Sequence, residues 1–204
     1  LVANADIVLG PGALAALVEQ GGTDRAIGAV GPLVRELDGS VYPSARPLPG
    51  IVLGAGHALL GRVWPGNPWT RRYRPRLAEG GENRDAGWLS GSCLLVRRVA
   101  WEGVGGFDEE FFMFFEDVDL GRRLGRAGWR NVWTSAAEVT HVGGHSWRSD
   151  PSAMLAAHHA SAERYVSLTY PRRWQAPLRA AVSRGLEGRL RRELRGRGHE
   201  TASP

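Results

Sequence analysis

Phe107-Asp108-Glu109-Glu110-Phe111-Phe112-Met113-Phe114-Phe115-Glu116-Asp117-Val118-Asp119-Leu120 is the stretch around which the rest of the chain is read. Glu116, Asp117 and Asp119 stand where a helical pattern begins, and Arg122, Arg123 and Arg126 stand near its end. Acids at a helix start cap orphan N–H groups, and bases at its end complement the macrodipole. Capping therefore accounts for the charges without any chemistry. It does not account for an acidic pair flanked by four phenylalanines and a methionine. Apolar walls raise a carboxylate's pKa and exclude water, which are the conditions of a general base. Both readings stay open for Asp117 and its neighbour Glu116.

Working outward, Asp117–Ala127 reads as a helix stopped by Gly128. Upstream, Trp88–Arg97 reads as one strand and Val99–Val104 as a short helix, with Gly105-Gly106 as a break. Downstream, Asn131–Trp133 and Glu138–His141 read as two short strands. At the start, Leu1–Ala3 reads as the end of a strand, followed by Asn4-Ala5-Asp6 and a Pro11-Gly12 turn. Leu14, Leu17 and Val18 predict an amphipathic helix over Ala13–Gln20. Ala26–Leu33 looks like a buried strand, and Asp38-Gly39 a hairpin turn before Ser40–Tyr42. Residues 43–85 are rich in Pro, Gly and Arg, with short helical patches around Ile51–Leu60. Residues 151–168 and 176–196 are helical, and in the second Leu178, Val182, Leu186, Leu190 and Leu194 recur every four residues.

The 204 residues suffice for one compact domain, or one domain with a tail. A hydrophobic content of 43% and a mean hydropathy of −0.26 fit a soluble globular protein. No apolar run reaches the roughly 20 residues needed to span a bilayer. The opening does not read as a signal peptide, since Asp6 interrupts its apolar run. Cys93 is the single cysteine, which excludes an internal disulfide and fits a reducing cytoplasm. All 26 basic residues are arginine. Residues 1–170 carry a net charge of −1 and residues 171–204 one of +6, so basicity belongs to the tail and points to an acidic partner surface.

Two further positions bear on chemistry. Asp6 follows an apolar strand end and precedes a Pro-Gly turn, where a carboxylate serves either the turn or a metal ion. His141 opens His141-Val142-Gly143-Gly144-His145-Ser146. Such a histidine is either a hydrogen-bonded structural residue or a ligand through its neutral imidazole. A zinc hydrolase is the weaker reading, because the segment lacks the helical HExxH arrangement and any neighbouring cysteine pair.

Gly87–Arg98, Val104-Gly105-Gly106-Phe107-Asp108-Glu109, Phe111–Leu120, Gly128-Trp129-Arg130 and His141–Ser146 together resemble the successive motifs of family-2 glycosyltransferases, over about residues 1–165. Val41-Tyr42-Pro43-Ser44-Ala45-Arg46-Pro47 and Trp64-Pro65-Gly66-Asn67-Pro68 further resemble the actinobacterial subgroup that transfers rhamnose to N-acetylglucosaminyl-diphospho-decaprenol.

The resemblance implies an α/β fold: part of a GT-A, Rossmann-like domain with a C-terminal helical tail. Residues 1–150 would be its acceptor-side catalytic half and 151–204 an arginine-rich tail; the half that in the family supplies the first strands and the nucleotide-base contacts would be truncated, or supplied by another chain. Asn4-Ala5-Asp6 would match the family's diphosphate and metal motif, with Ala5 where proline is usual. Asn4 and Asp6 would then face the donor, and Asp6 would hold Mg²⁺ or Mn²⁺ with His141. Asp117 would match the carboxylate that deprotonates the acceptor hydroxyl, supported by Glu116. Trp88, Ser90 and Gly91 would match the wall beside sugar and acceptor. The implied reaction is an inverting single displacement from dTDP-L-rhamnose to a polyprenyl-diphosphate-linked sugar, in envelope polysaccharide synthesis. The implied location is cytoplasmic and peripheral, on an anionic membrane surface at the inner face of the plasma membrane. An inactive fragment that only binds membrane or lipid-linked sugar is the alternative. Nucleic acid is not an expected partner: near the basic tail only Tyr170 and Trp174 can stack on bases, and no recognition fold is visible.

Overall fold

The computed structural model describes residues 1–50, 81, 83–143 and 151–200. It divides into two compact units, one of Leu1–Asp108 with Asp117–Gly143 and one of Glu109–Glu116 with Gly144–Pro204. The patches expected around Ile51–Leu60, the Trp64–Pro68 motif and His145 lie outside the described residues.

The first unit is a mixed sheet with helices on both faces. Its strands are β1 (Val2–Ala3), β2 (Ile7–Leu9), β3 (Ile27–Glu36), β4 (Val41–Tyr42), β5 (Ala45–Arg46), β6 (Arg84–Ala86), β7 (Trp88–Leu89), β8 (Cys93–Val96) and β9 (Arg130–His141). The main sheet runs β1-β8-β3-β9-β2, with β4 on β3 and β6 on β9, while β5 and β7 form a separate pair. The β3–β9 pair is parallel, and the pairs of β8 with β1 and β3, and of β2 with β9, are antiparallel.

β3 is buried on both faces over Ile27–Val34, which is why it reads as a continuous apolar run rather than an alternating one. Its residues Val30 and Val34 pack with Leu17 of α1 (Ala13–Gly22). Ala29 and Leu33 pack on the opposite face with Leu120 and Leu124 of α3 (Glu116–Arg126) and Ala100 of α2 (Arg98–Val104). Pro32 lacks an N–H yet sits mid-strand. The sheet tolerates it because the β3–β9 register shifts between Pro32 and Leu33, where the partner residue jumps from Thr134 to Glu138.

Two expectations are corrected here. Asn131–Trp133 and Glu138–His141 belong to one strand, β9, in which residues 135–137 form a bulge opposite Pro32 and Leu33, and Ala136 donates its N–H to the Thr134 hydroxyl at 3.1 Å. Trp88–Arg97 is two strands rather than one. The chain turns at Ser90-Gly91-Ser92, where the Ser90 hydroxyl donates to that of Ser92 at 3.0 Å. β7 then pairs with β5, while β8 pairs with β1 and β3. The helix expected over Asp117–Ala127 forms, and Gly128 ends it with φ of 88°.

The second unit contains α4 (Pro151–Thr169), a single 3₁₀ turn at Arg173–Gln175 and α5 (Ala176–Glu200). α4 and α5 pack on each other, and Leu178, Val182, Leu186 and Leu190 are half-buried. The four-residue stripe is thus largely taken up within the helical pair. The segment Glu109–Glu116 packs on α4 as well. The Arg164 guanidinium lies 5.2 Å from the Phe111 ring, and Phe115 meets the rings of His158 and Tyr165 at 5.4 and 5.5 Å. Among the described residues no helix is long and apolar enough to cross a membrane.

Candidate active site

Asp117 sits in the first turn of α3, beneath the Ser90-Gly91-Ser92 turn. Its Oδ2 accepts the Gly91 N–H and its Oδ1 the Val118 N–H, both at 2.8 Å. Burial pushes its pKa above the usual carboxylate value, against the pull of these backbone N–H groups and of the Arg46 charge. Close approach of α3 to β7 makes this position. A Cβ on Gly121 would lie 2.6 Å from the Cβ of Trp88, and the Asn131 amide donates to the carbonyls of Gly87 and Gly121, both at 3.1 Å.

The other two acids of the motif have different duties. Asp119 is buried and pairs with Arg122 and Arg123, and Arg123 also donates to the Val104 carbonyl at the end of α2, at 2.5 Å. It is a structural anchor for α3. Glu116 is partly buried and is the last residue of the second unit's segment, immediately before Asp117. The phenylalanine frame is also reassigned. Phe111 and Phe115 pack on α4, Phe114 meets the His158 ring at 5.4 Å, and Phe112 is 81% exposed. Phe114 and Phe115 both have left-handed backbones, with φ of 66° and 65°. Left-handed geometry costs a non-glycine residue about 1–2 kcal/mol, so the turn that delivers Asp117 to α3 is strained.

Of Trp88, Ser90 and Gly91, Gly91 bonds Asp117 directly, Ser90 precedes it in the same turn, and Trp88 packs against Gly121 one turn along α3. Two residues to which the sequence reading gave no role, Tyr42 and Arg46, interact with the Asp117 charge. The Arg46 guanidinium carbon lies 5.7 Å from the ring centres of both Tyr42 and Trp88. The Arg46 Nε donates to the Pro43 carbonyl at 2.9 Å, and the Trp88 indole N–H to the Pro47 carbonyl at 3.1 Å. Burial raises the pKa of Tyr42. Arg46 works against that rise, the Asp117 and Glu36 charges work with it, and a hydrogen bond to Ser90 opposes it. The signal for these residues lay in Val41–Pro47, where an aromatic and an arginine are each followed by a proline, Pro43 and Pro47. Only the pairing of β5 with β7 turns that local pattern toward Asp117.

A second centre lies at the β2–β9 ladder. Ile7 pairs with His141, and the Val142 N–H donates to the Asp6 carbonyl at 2.9 Å. This register brings the Asp6 carboxylate within 3.4 Å of the His141 Nε2, with both side chains partly exposed. Asn4 is exposed at the same turn, and its N–H donates to the Ser92 carbonyl at 2.9 Å. The turn that carries Gly91 to Asp117 is therefore also bonded to the turn that carries Asp6. Among the described residues no group of three or more His, Cys, Asp or Glu gathers to enclose a metal ion. One carboxylate and one imidazole with open faces still fit an ion of the Mg²⁺ or Mn²⁺ class, which takes most of its ligands from phosphate and water.

Residues 1–159 match the family described as "Glycosyltransferase like family 2". The chain is 52% identical, over 179 residues, to the N-acetylglucosaminyl-diphospho-decaprenol L-rhamnosyltransferases of two Mycobacterium tuberculosis strains. That alignment covers 88% of this chain and 58% of each relative, so the chain spans somewhat over half their length. It is also 39% identical over 80 residues to the Escherichia coli rhamnosyltransferase WbbL, covering 39% of this chain and 30% of that protein. The mixed sheet, the helices on its two faces and the match over most of the chain agree: this chain belongs to glycosyltransferase family 2, with its Rossmann-like domain followed by C-terminal helices.

Proposed function

We propose that the chain carries the acceptor-side catalytic machinery of an inverting rhamnosyltransferase. It moves L-rhamnose to a polyprenyl-diphosphate-linked N-acetylglucosamine, as the mycobacterial relatives' name suggests, and its donor is dTDP-L-rhamnose. The observation that carries this reading is Asp117, held by Gly91, raised in pKa by burial, and ringed by Tyr42, Arg46, Trp88 and Ser90.

Asp117 takes the proton from the acceptor hydroxyl as the acceptor oxygen attacks the sugar carbon. The bond to the nucleotide diphosphate breaks on the opposite face, through an oxocarbenium-like state. A raised pKa suits the task, because a base titrating nearer neutrality accepts a proton more readily than an ordinary carboxylate. The N–H groups of Gly91 and Val118 keep the carboxylate oriented while it is ionised. Trp88 and Tyr42 supply flat walls for a sugar ring, with Arg46 locked between them. Glu116 supports Asp117 by its position in the preceding residue. Asp6 and His141 would hold Mg²⁺ or Mn²⁺, which supplies charge neutralisation for the departing diphosphate, and Asn4 lies beside them toward the donor. Asp6 and His141 would serve the diphosphate end through that ion, and Asp117 handles the proton at the acceptor end.

The acceptor is a lipid, so the protein works at the cytoplasmic face of the membrane as a peripheral protein, and the arginines of residues 171–204 give it an anionic surface to meet. The test joins this chain to the part of the mycobacterial relative that it does not match. That protein is supplied with dTDP-L-rhamnose and a short polyprenyl-diphospho-N-acetylglucosamine, and the product is read by mass spectrometry. A gain of one deoxyhexose is expected. Acceptor binding without transfer from any nucleotide sugar would leave a binding module in place of an enzyme.

A further inference from the structure

Between α4 and α5 the chain makes a short turn whose tip is Arg172-Arg173-Trp174. Trp174 is 71% exposed and both arginines are exposed. An indole in water is unusual enough to need a reason, because such a ring gains by leaving water while its N–H keeps a polar partner. The turn itself is firmly built. The Arg179 guanidinium donates to the carbonyls of Tyr170 and Arg172 at 2.7 and 3.0 Å, and the Gln175 side-chain oxygen accepts the Arg172 N–H at 3.0 Å. The exposed indole is thus presented by a preorganised tip, where a frayed helix end would offer no fixed surface. By contrast, the leucine stripe of α5 is half-buried in the α4–α5 pair and is poorly placed to enter lipid.

We infer that this turn is the membrane contact of the chain, with Trp174 seated at the headgroup level of an anionic bilayer and Arg172 and Arg173 on its phosphates. The inference rests on the reading of the membrane as the working surface, and it names the part of the tail that meets it. Charge selects the partner. Residues 171–204 carry a net +6 while the rest of the chain carries −1, so the helical pair is drawn to an acidic surface. The side chain selects the depth. Tryptophan concentrates at the membrane–water interface, where its ring lies against acyl chains and its N–H stays among polar groups. A fixed tip needs no ordering when it inserts, which removes one cost of binding.

The experiment is co-sedimentation of the full chain with vesicles of phosphatidylcholine alone and of phosphatidylcholine mixed with phosphatidylglycerol. The wild type is expected to pellet with the mixed vesicles, to stay in solution with phosphatidylcholine alone, and to be released by salt. Trp174→Ala should weaken partitioning by roughly tenfold, as loss of a buried aromatic side chain implies, while Trp174→Phe retains most of it. Arg172→Gln and Arg173→Gln should each weaken it by roughly fivefold. All four variants change exposed side chains, and circular dichroism should match the wild type. If Trp174→Ala and the two arginine variants pellet like the wild type, the turn is not the anchor, although the membrane reading stands. If the wild type ignores phosphatidylglycerol vesicles, or binds a single-stranded oligonucleotide through Trp174 instead, the turn and the membrane reading both fall.

Discussion

Replacing Asp117 by asparagine keeps the side chain's size and removes its proton-accepting charge. The carboxylate accepts two backbone N–H groups, from Gly91 and Val118, each at 2.8 Å. An amide oxygen can keep one of them, and the lost charge-assisted bond costs about 1.5–3 kcal/mol. Against that, the amide buries no charge, and burial is the largest influence on Asp117. These effects oppose each other, so stability at neutral pH should change by no more than about 1 kcal/mol. Turnover should fall by roughly 10² to 10⁴, the worth of a positioned base. The pH dependence gives an independent check. The folded-state pKa lies above the ordinary 3.8, so the folded protein holds this proton more tightly than the unfolded chain. The stability this contributes is complete below the unfolded pKa and is lost as pH rises through the folded one. Urea unfolding across that range should therefore show the wild type gaining on the variant as pH falls. The acidic limb of kcat/KM should lie above the usual carboxylate value. Near-normal turnover in the variant, or a wild type that gains on it as pH rises, would rule out Asp117 as the buried base.

Three other perturbations test the rest of the site. Chelation should abolish transfer and added Mg²⁺ or Mn²⁺ restore it, while Asp6→Ala should weaken metal-dependent donor binding by calorimetry; transfer that ignores chelator removes the metal from the scheme. Arg46→Gln takes away a charge that pulls the Asp117 pKa down, so the acidic limb of kcat/KM should move to higher pH, with Arg46→Lys moving it less; an unmoved limb means that Arg46 only packs. Gly121→Ala puts a methyl group 2.6 Å from the Trp88 Cβ. Overpacking of that kind costs about 1–3 kcal/mol, and an unchanged Tm would show that α3 does not need that close approach.

Local signals were readable where one residue type has one physical use. Gly128 stops α3, and the runs before it and after Pro11-Gly12 give α3 and α1 within a few residues of their observed ends. Asp6 and His141 could be named from motif resemblance, and the β2–β9 ladder joins them. Trp88–Arg97 misled because its apolar content is continuous across Ser90-Gly91-Ser92. Only the two different partners, β5 for β7 and β3 for β8, show that the chain turns there. The phenylalanines misled in another way. Their apolarity belongs to the packing of α4, and periodicity cannot say which element a side chain will meet. Tyr42 and Arg46 lie on two strands of two residues each, β4 and β5, too short to carry a pattern.

The ladder that holds Asp6 against His141 has a bearing on how freely this protein can change. The spacing of that pair is written in main-chain bonds, and those are made alike by nearly every amino acid. Val8 and Leu9, between the two strands' bonded atoms, are 57% and 41% exposed, so little packing depends on their identity. A lineage can therefore rewrite the side chains around Asp6 and His141 without moving that pair. Asp117 has no such freedom, since its place depends on Gly121 and Asn131, each of which admits few replacements. Drift and engineering alike should find the surroundings of Asp6 and His141 pliable and those of Asp117 stiff.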